Sequence, residues 1–368
     1  MGRWVHVYLV PGAVLVSVLM GGGYGTGREV VEYFTRYGLL GGLLGAGVAA
    51  AVFALVLVAT FEFARVFRVY DYRAFFKALI GRYWIAFEIL YSLIFLLVLG
   101  VVSSAAGTIL EQEFGIPGLA GLVAMLALVA VVVLLGRHLI ENILTLWCLG
   151  MYAVFIAYFA QIWQASDTNL LSAAARGSVE SGWLAGGLLY PMYNLAIAPV
   201  LLFSTRAIET RSQAVVSGLV AALMVISPAV LFHLSYSAGL PDVLEQAVPN
   251  YWMIDRFGPP FLMTVFIIAL IGTLVETGVG LVHGLVERIE AVVKPGQDDG
   301  LARLPRAAIA VAALSIAAAL GSLGIITLIA RGYSLLAVGF ALVYVLPVCT
   351  IGVMRIRSAQ PEARSGGH

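Results

Sequence analysis

The chain has 368 residues, of which 61% are apolar and 11% are charged, and its mean hydropathy is +1.00. Soluble domains are about 45–50% apolar and about 25% charged, so the composition excludes a soluble globular protein and predicts a polytopic membrane protein. The formal net charge of +1 gives no basis for nucleic-acid binding.

Ten apolar runs are each long enough for a membrane-spanning helix of about 20 residues. They lie near residues 4–36, 40–66, 84–110, 117–135, 142–164, 183–206, 212–236, 260–288, 305–328 and 332–355. The stretch from Pro241 to Phe257 is too polar to span, and we interpret it as an extracellular loop that can act as a lid. The pattern predicts an all-α membrane protein with ten transmembrane helices.

The distribution of basic residues predicts the orientation of these spans. Sixteen of the 21 Lys and Arg residues fall on the side that carries both termini, four fall on the other side, and Arg28 lies within the first span. We therefore expect a multi-pass protein of the inner cell membrane with both termini in the cytoplasm.

A polar linker divides the chain into two halves of five spans each. The predicted parts are a first repeat (1–165), an extracellular linker (166–182), a second repeat (183–357) and a cytoplasmic tail (358–368), within one structural domain. Five is an odd number, so the second repeat enters the membrane inverted, as in many secondary transporters.

The first and sixth spans carry helix-breaking residues near their midpoints. Five of the seven residues from Gly21 to Gly27 are glycines, and each glycine costs about 1 kcal/mol relative to alanine inside a helix. In the sixth span, Pro191 and Pro199 flank the Tyr193-Asn194 pair. Paired interruptions of this kind expose backbone groups to a substrate or an ion. The alternative is that the glycines only let two helices approach and that the prolines only kink a span.

Glu276 lies near the middle of the eighth span, where a carboxylate is a functional candidate. Thr273 and Thr277 lie on the same helix face, and the three side chains suit a sodium ion or a proton. The alternative is a protonated or arginine-paired structural glutamate. Arg28 and Glu29 follow the first interruption and are candidates for an outer gate or for a structural ion pair.

The remaining polar residues give weaker signals. Glu62 and Glu88 are expected to form gate or interface pairs, and His233 is expected to be a hydrogen-bonded packing residue. Cys148 and Cys349 lie in apolar runs and are expected to pack there. No arrangement of catalytic residues is present, so no enzyme activity is predicted. Tyrosines of the first, third and sixth spans can wall a pocket; they are Tyr24, Tyr91, Tyr190 and Tyr193.

The five-plus-five plan and the motifs in the first, sixth and eighth spans resemble the LeuT fold of the amino acid, polyamine and organocation transporter superfamily. The Gly23–Glu29 stretch, followed by a later Tyr-x-x-Tyr-Asn-Leu, is most similar to the YkvI-like branch. The resemblance implies that spans 1, 2, 6 and 7 form a bundle that moves against a scaffold of spans 3, 4, 8 and 9. It also implies that the substrate carboxylate meets amides of Gly22–Gly27 and that the ammonium meets carbonyls of Tyr190–Asn194.

The resemblance also implies a sodium site formed by the carbonyls of Gly21 and Tyr24 and by the Thr273, Glu276 and Thr277 side chains. The sequence departs from the family at Glu276, where many members have a hydroxyl residue, and it has no lysine in the fifth span. Either sodium or a proton therefore remains open as the coupling ion.

The resulting hypothesis is an ion-coupled secondary transporter of an amino acid or similar small zwitterion, working by alternating access. A ligand-binding receptor or sensor on the same fold is the alternative. The candidate substrate-binding residues are Gly22, Gly23, Tyr24, Gly25, Thr26, Gly27, Tyr91, Tyr190, Tyr193 and Asn194. No cofactor other than a sodium ion is expected, and the chain is predicted to lie in the bilayer as a monomer or homodimer.

Overall fold

The computed structural model describes residues 2–135, 151–161, 177–293 and 303–365. Most of the predicted fifth span (142–164) and linker (166–182), the end of the tail (358–368) and Cys148 lie outside the described residues. Within the described ranges the regular structure is entirely helical.

The helices of the first half are α1 (Arg3–Tyr8), α2 (Val10–Leu19), α3 (Arg28–Tyr33), α4 (Leu39–Phe67), α5 (Tyr72–Ile80), α6 (Trp84–Phe114), α7 (Gly118–Leu135) and α8 (Met151–Gln161). Those of the second half are α9 (Trp183–Asn194), α10 (Arg211–Tyr236), α11 (Pro249–Phe257), α12 (Pro260–Val293), α13 (Arg303–Gly321) and α14 (Ile325–Ala359).

The helices agree with the predicted spans in place and character. Seven helical segments in the described ranges are long and apolar enough to cross a membrane, and three shorter apolar helices coincide with the first, fourth and fifth predicted runs. The chain is thus a multi-pass all-α membrane protein. That all ten segments cross the bilayer stays a prediction, because the apolar helical parts of the other three, Val10–Leu19, Gly118–Val133 and Met151–Gln161, are shorter.

The most extensive helix contacts fall into two groups. In one group α2, α4, α9 and α10 pack together, and in the other α6 packs with α7, α12 and α13. This is the division into a bundle and a scaffold that the resemblance implies. Glycines permit the closest approaches: a Cβ atom on Gly187 of α9 would lie 2.5 Å from the Gly45 carbonyl oxygen of α4. Small residues at such crossings are typical of helix packing in lipid.

The first span is interrupted near the residues that the glycine run predicts. After α2 the chain forms a π-helical turn over Met20–Tyr24, and Gly27 then takes a left-handed backbone (φ 77°) before α3 begins. The helical backbone therefore ends at Gly25–Gly27 and not at Gly21. A left-handed residue favours glycine because a Cβ atom is disfavoured there.

The sixth span changes its winding without a gap. The α-helical part ends at Asn194 and continues directly as a 3-10 helix over Leu195–Thr205, with Pro191 in the first part and Pro199 in the second. A 3-10 stretch of 11 residues is long, since runs beyond about four residues are uncommon and often mark hinges. The predicted discontinuity of this span is thus a change of pitch at Asn194.

Candidate functional site

Two adjoining cavities lie beside the interruption of the first span. The smaller, called the central cavity here, spans about 590 Å³ between the bundle, the scaffold and α14, part of it open to the surface. Its lining includes Gly23 of the glycine run and the polar or aromatic residues Glu29, Tyr91, Tyr193, Asn194, Thr277 and Tyr333. The larger, called the ion cavity here, spans about 2070 Å³, part of it open to the surface. Thr277 and Tyr91 line both cavities.

Glu29 supplies the charged group of the central cavity. It lies in the first turn of α3 and only 3% of its surface is exposed. The Tyr193 hydroxyl donates a hydrogen bond of 2.5 Å to Glu29 Oε2. The carboxylate rests against the glycine run, because a Cβ atom on Gly23 would lie 3.1 Å from the same oxygen. Among the described residues, no basic side chain forms an ion pair with Glu29.

Tyr333 completes the aromatic wall beside Glu29. It ends the π-helical turn Leu328–Tyr333 of α14, and its ring centroid lies 4.8 Å from that of Tyr193. Its side chain is 1% exposed, and its hydroxyl has no hydrogen-bond partner within the described residues. The sequence prediction missed Tyr333, which begins the tenth apolar run and carries no local signal of a site.

The ion cavity brings together most of the predicted ion-coupling residues. Gly21, Thr273, Glu276 and Thr277 all line it. A Cβ atom on Gly21 would lie 2.3 Å from Thr277 Oγ1, so the first span touches α12 here. The Thr273 and Thr277 hydroxyls donate to carbonyls of their own helix, at 2.8 Å and 2.9 Å.

Glu276 itself is partly buried in the ion cavity. Within the part of the chain that the structure describes, its carboxylate makes neither a hydrogen bond nor an ion pair. The arginine-paired alternative therefore finds no partner among these residues.

Tyr24 and Tyr190 line neither cavity, unlike Tyr91 and Tyr193. Tyr190 donates to the Tyr24 hydroxyl at 2.8 Å, and Tyr24 in turn donates to the Val225 carbonyl of α10 at 2.6 Å. The Tyr190 ring packs on Phe34 at 4.8 Å. These two tyrosines hold the bundle together, so the structure does not bring them to the predicted substrate position.

The carbonyls freed at the interruption are bound by a residue of the stretch from Pro241 to Phe257, which the sequence predicts to be extracellular and which we call the outer loop. Asn250, in the first turn of α11, donates its side-chain amide to the Tyr24 and Gly25 carbonyls at 2.8 Å and 3.0 Å, and its backbone N–H to the Thr26 carbonyl at 3.2 Å. The Tyr236 hydroxyl of α10 donates to the Asn250 side-chain oxygen. We call this set the Asn250 cap. It satisfies orphan carbonyls at the end of a helical segment, and the Tyr24 carbonyl is thereby engaged away from the ion cavity.

Arg28 and Glu29 point to different places and do not pair with each other. The Arg28 guanidinium donates to the Leu244 and Gln246 carbonyls of the outer loop at 2.7 Å and 3.0 Å, and it pairs with Glu32 at 3.0 Å. Arg28 therefore contacts the outer loop and forms an ion pair, and its role as a gate stays a prediction, whereas Glu29 belongs to the central cavity.

The outer loop is also tied to the scaffold. The Tyr251 hydroxyl of α11 donates to Glu113 Oε2 at the end of α6 at 2.7 Å. Burial, together with the Glu113 carboxylate, raises the pKa of Tyr251 above its ordinary value, so the phenol keeps the proton that it donates. The loop thus bridges the first span and the scaffold.

The glycine run has a packing role as well. Gly25 packs against Leu270 of α12, where a Cβ atom would lie 3.0 Å from a Leu270 methyl group, and a Cβ atom on Gly27 would clash with the Tyr236 hydroxyl. Gly22 belongs to the π-helical turn, and Thr26 is buried beside the Asn250 cap. Of the glycines whose surroundings are described, Gly23 alone lines the central cavity.

The other predicted polar residues form structural contacts. Glu62 pairs with Arg65 on its own helix at 2.7 Å. Glu88 pairs with Arg288 at 3.2 Å, and the guanidinium lies 4.2 Å from the Tyr91 ring centroid. His233 is buried, with Nε2 2.9 Å from the Leu39 carbonyl oxygen, which agrees with a packing role.

Comparison with known proteins supports a transporter fold. No family model matches the chain. It is 22% identical over 288 residues, 76% of its length, to the uncharacterized membrane protein YkvI of Bacillus subtilis, and the match covers 80% of that protein. Crystal structures of variants of a manganese transporter from Eremococcus coleocola superpose with a TM-score of 0.57 at 17% identity, covering 94% of this chain and 78% of theirs.

A Na⁺-coupled sialic acid symporter, solved in a substrate-bound outward-open state, superposes with a TM-score of 0.50 at 12% identity, covering 94% of this chain and 86% of its own. The chain has a LeuT-type fold. The predicted resemblance to YkvI and the predicted all-α LeuT-type fold are confirmed, while the count of ten spans stays a prediction; the structures that the chain resembles are transporters rather than enzymes.

Proposed function

We propose that this LeuT-type protein is an ion-coupled secondary transporter of a small solute that bears an amino group, an amino acid or a similar zwitterion among them. The observation that carries the proposal is Glu29. A buried carboxylate without a basic partner in the described residues faces a cavity of about 590 Å³, at the point where the first span is interrupted. An ionisable side chain at that depth is costly to insert, which makes it a candidate for a function.

The coupling ion is proposed to bind in the ion cavity. Gly21, Thr273, Thr277 and Glu276 converge there, and oxygen ligands of this kind suit sodium, whereas a lone carboxylate suits a proton. The similar sialic acid symporter is described as Na⁺-coupled, which supports an ion gradient as the driving force.

The orientation follows from the basic residues. With both termini in the cytoplasm, α3, the outer loop and the Asn250 cap lie on the extracellular side, and the conformation described here is closed on that side. Alternating access would then require the Asn250 cap and the Arg28 contacts to open.

The test is uptake into liposomes that contain the purified full-length protein, under imposed sodium or proton gradients. We expect gradient-driven uptake of an amino-group-bearing solute, and we expect Glu276→Gln to abolish the dependence on the gradient while solute exchange persists. Glu245 is an exposed glutamate of the outer loop, so Glu245→Gln is the matched control and should behave as the wild type. Undiminished coupling in Glu276→Gln would refute the role of Glu276. Ligand binding without flux under any gradient would favour a receptor.

A further inference from the structure

We infer that the central cavity selects a net-positive organic amine, one without an α-carboxylate, whose ammonium group binds between Glu29 and Tyr333. This inference rests on the proposed function and narrows its substrate class. It follows from the charge balance of the cavity, from an unused hydrogen-bonding group in its wall, and from the closeness of Glu29 to the glycine run.

The first observation is the charge balance. Fifteen of the residues that the structure describes line the central cavity; Glu29 is acidic and none of these fifteen is basic. Arg28, next to Glu29 in sequence, binds the outer loop, and Arg288, which lies over the Tyr91 ring, pairs with Glu88. A bound cation would therefore neutralise the cavity, whereas a zwitterion would leave a net negative charge inside it.

The second observation is the arrangement of hydrogen-bonding groups around Glu29. One carboxylate oxygen, Oε2, accepts from Tyr193. Tyr333 lines the same cavity, and its hydroxyl is buried and has no partner within the described residues. An ammonium group has three N–H donors, so it can serve both the carboxylate and the phenol oxygen. The Tyr193 and Tyr333 rings next to it offer π faces that favour a cation.

The third observation concerns the position that the resemblance implies for a substrate carboxylate. Gly23 is in contact with Glu29, because a Cβ atom there would lie 3.1 Å from Oε2 and 3.2 Å from Oε1. A ligand carboxylate seated at Gly23 would stand beside a buried carboxylate of the same charge, and like charges at that distance repel strongly in a low-dielectric site. The glycine run therefore disfavours an α-carboxylate in this conformation.

The rest of the cavity is apolar and fits the hydrocarbon part of an amine. Its apolar lining includes Ile94, Phe95 and Val98 of α6, Ile197 of the sixth span and Leu281 of α12. The expected ligands are thus primary amines with an aliphatic or aromatic body.

The experiment compares amines with the amino acids that share their side chain. Wild-type protein in detergent is titrated with isoamylamine and leucine, and with phenethylamine and phenylalanine, while the melting temperature is followed; 3-methylbutanol serves as the uncharged control. The same solutes are then tested in liposomes as inhibitors and as substrates of counterflow. We expect each amine to bind about tenfold or more tightly than its amino acid, because only the amino acid brings a second carboxylate next to Glu29, and like charges repel strongly in a low-dielectric site.

Variants of the cavity test the assigned residues. Glu29→Gln should weaken amine binding about tenfold or more, and Tyr333→Phe by a smaller factor, while Glu245→Gln should leave binding unchanged. Glu29→Asp keeps the charge, and it replaces Glu29→Gln if that variant does not fold. Its amine binding should exceed that of Glu29→Gln wherever both fold.

The outcomes separate the two proposals. If the amino acids bind or exchange better than their amines, or if no amine shifts the melting temperature, the amine inference is overturned while a transporter of another solute can stand. If amines bind as expected but no solute crosses the membrane under any gradient, the amine site stands and the proposed transport function fails.

Discussion

Replacing Asn250 by alanine should loosen the extracellular side of the protein. The substitution removes two side-chain hydrogen bonds, of 2.8 Å and 3.0 Å, to the Tyr24 and Gly25 carbonyls. Each contributes about 0.5–1.5 kcal/mol net, so the closed arrangement should lose about 1–3 kcal/mol. A change of this size shifts a two-state equilibrium about 5- to 150-fold.

Hydrogen–deuterium exchange of the protein in nanodiscs measures this shift directly. We expect peptides that cover residues 24–33 and 237–257 to exchange faster in Asn250→Ala, because both sides of the Asn250 cap become free. Gln246→Ala is the matched control, since its side-chain amide donates to the Asp242 carbonyl of the same loop and leaves the first span untouched. Exchange that is equal in wild type and Asn250→Ala in both peptides would refute the idea that Asn250 holds the outer side closed.

Two glycine substitutions test the geometry of the first span. Gly21→Ala should destabilise the protein by about 1–3 kcal/mol in detergent melting experiments, because the new methyl group would lie 2.3 Å from Thr277 Oγ1; adding Thr277→Ala should recover part of the loss. Gly27→Ala should destabilise the protein more than Gly280→Ala does. Gly27 has a left-handed backbone and an added Cβ atom would lie 1.8 Å from the Tyr236 hydroxyl, whereas Gly280 faces open space. Equal melting temperatures of the two variants would contradict the described turn.

The sequence predicts an interruption of the first span, but it does not determine the residue at which the helix ends. Helix propensity treats Gly21 and Gly27 alike, and the tertiary contacts distinguish them. Gly21 and Gly25 pack tightly against α12, so the chain there stays helical as a π turn. Gly27 faces Tyr236 and Asn250 of the outer closure, and its backbone turns left-handed.

The same limit applies to Arg28 and Glu29, which the sequence indicates together as gate candidates. Successive residues of an α-helix point about 100° apart, so two neighbours at the start of α3 necessarily face different surroundings. Which of them faces the cavity depends on where α3 begins. Asn250 and Tyr333 are harder still to predict, because they meet the first and sixth spans only through contacts between residues far apart in sequence.

The π-helical turn Met20–Tyr24 contributes residues to the lining of both cavities. Gly21, near its start, rests against Thr277 in the ion cavity, and Gly23, two residues later, rests against Glu29 in the central cavity. If the proposed ion binds between Gly21 and Thr277, we expect it to displace the backbone that contacts the Glu29 carboxylate. Coupling between two sites is a free energy shared by both, and it acts equally in either direction. A solute bound at Glu29 should therefore raise the affinity for an ion bound beside Gly21. This coupling would run through the five residues of the π-helical turn and would need no longer pathway.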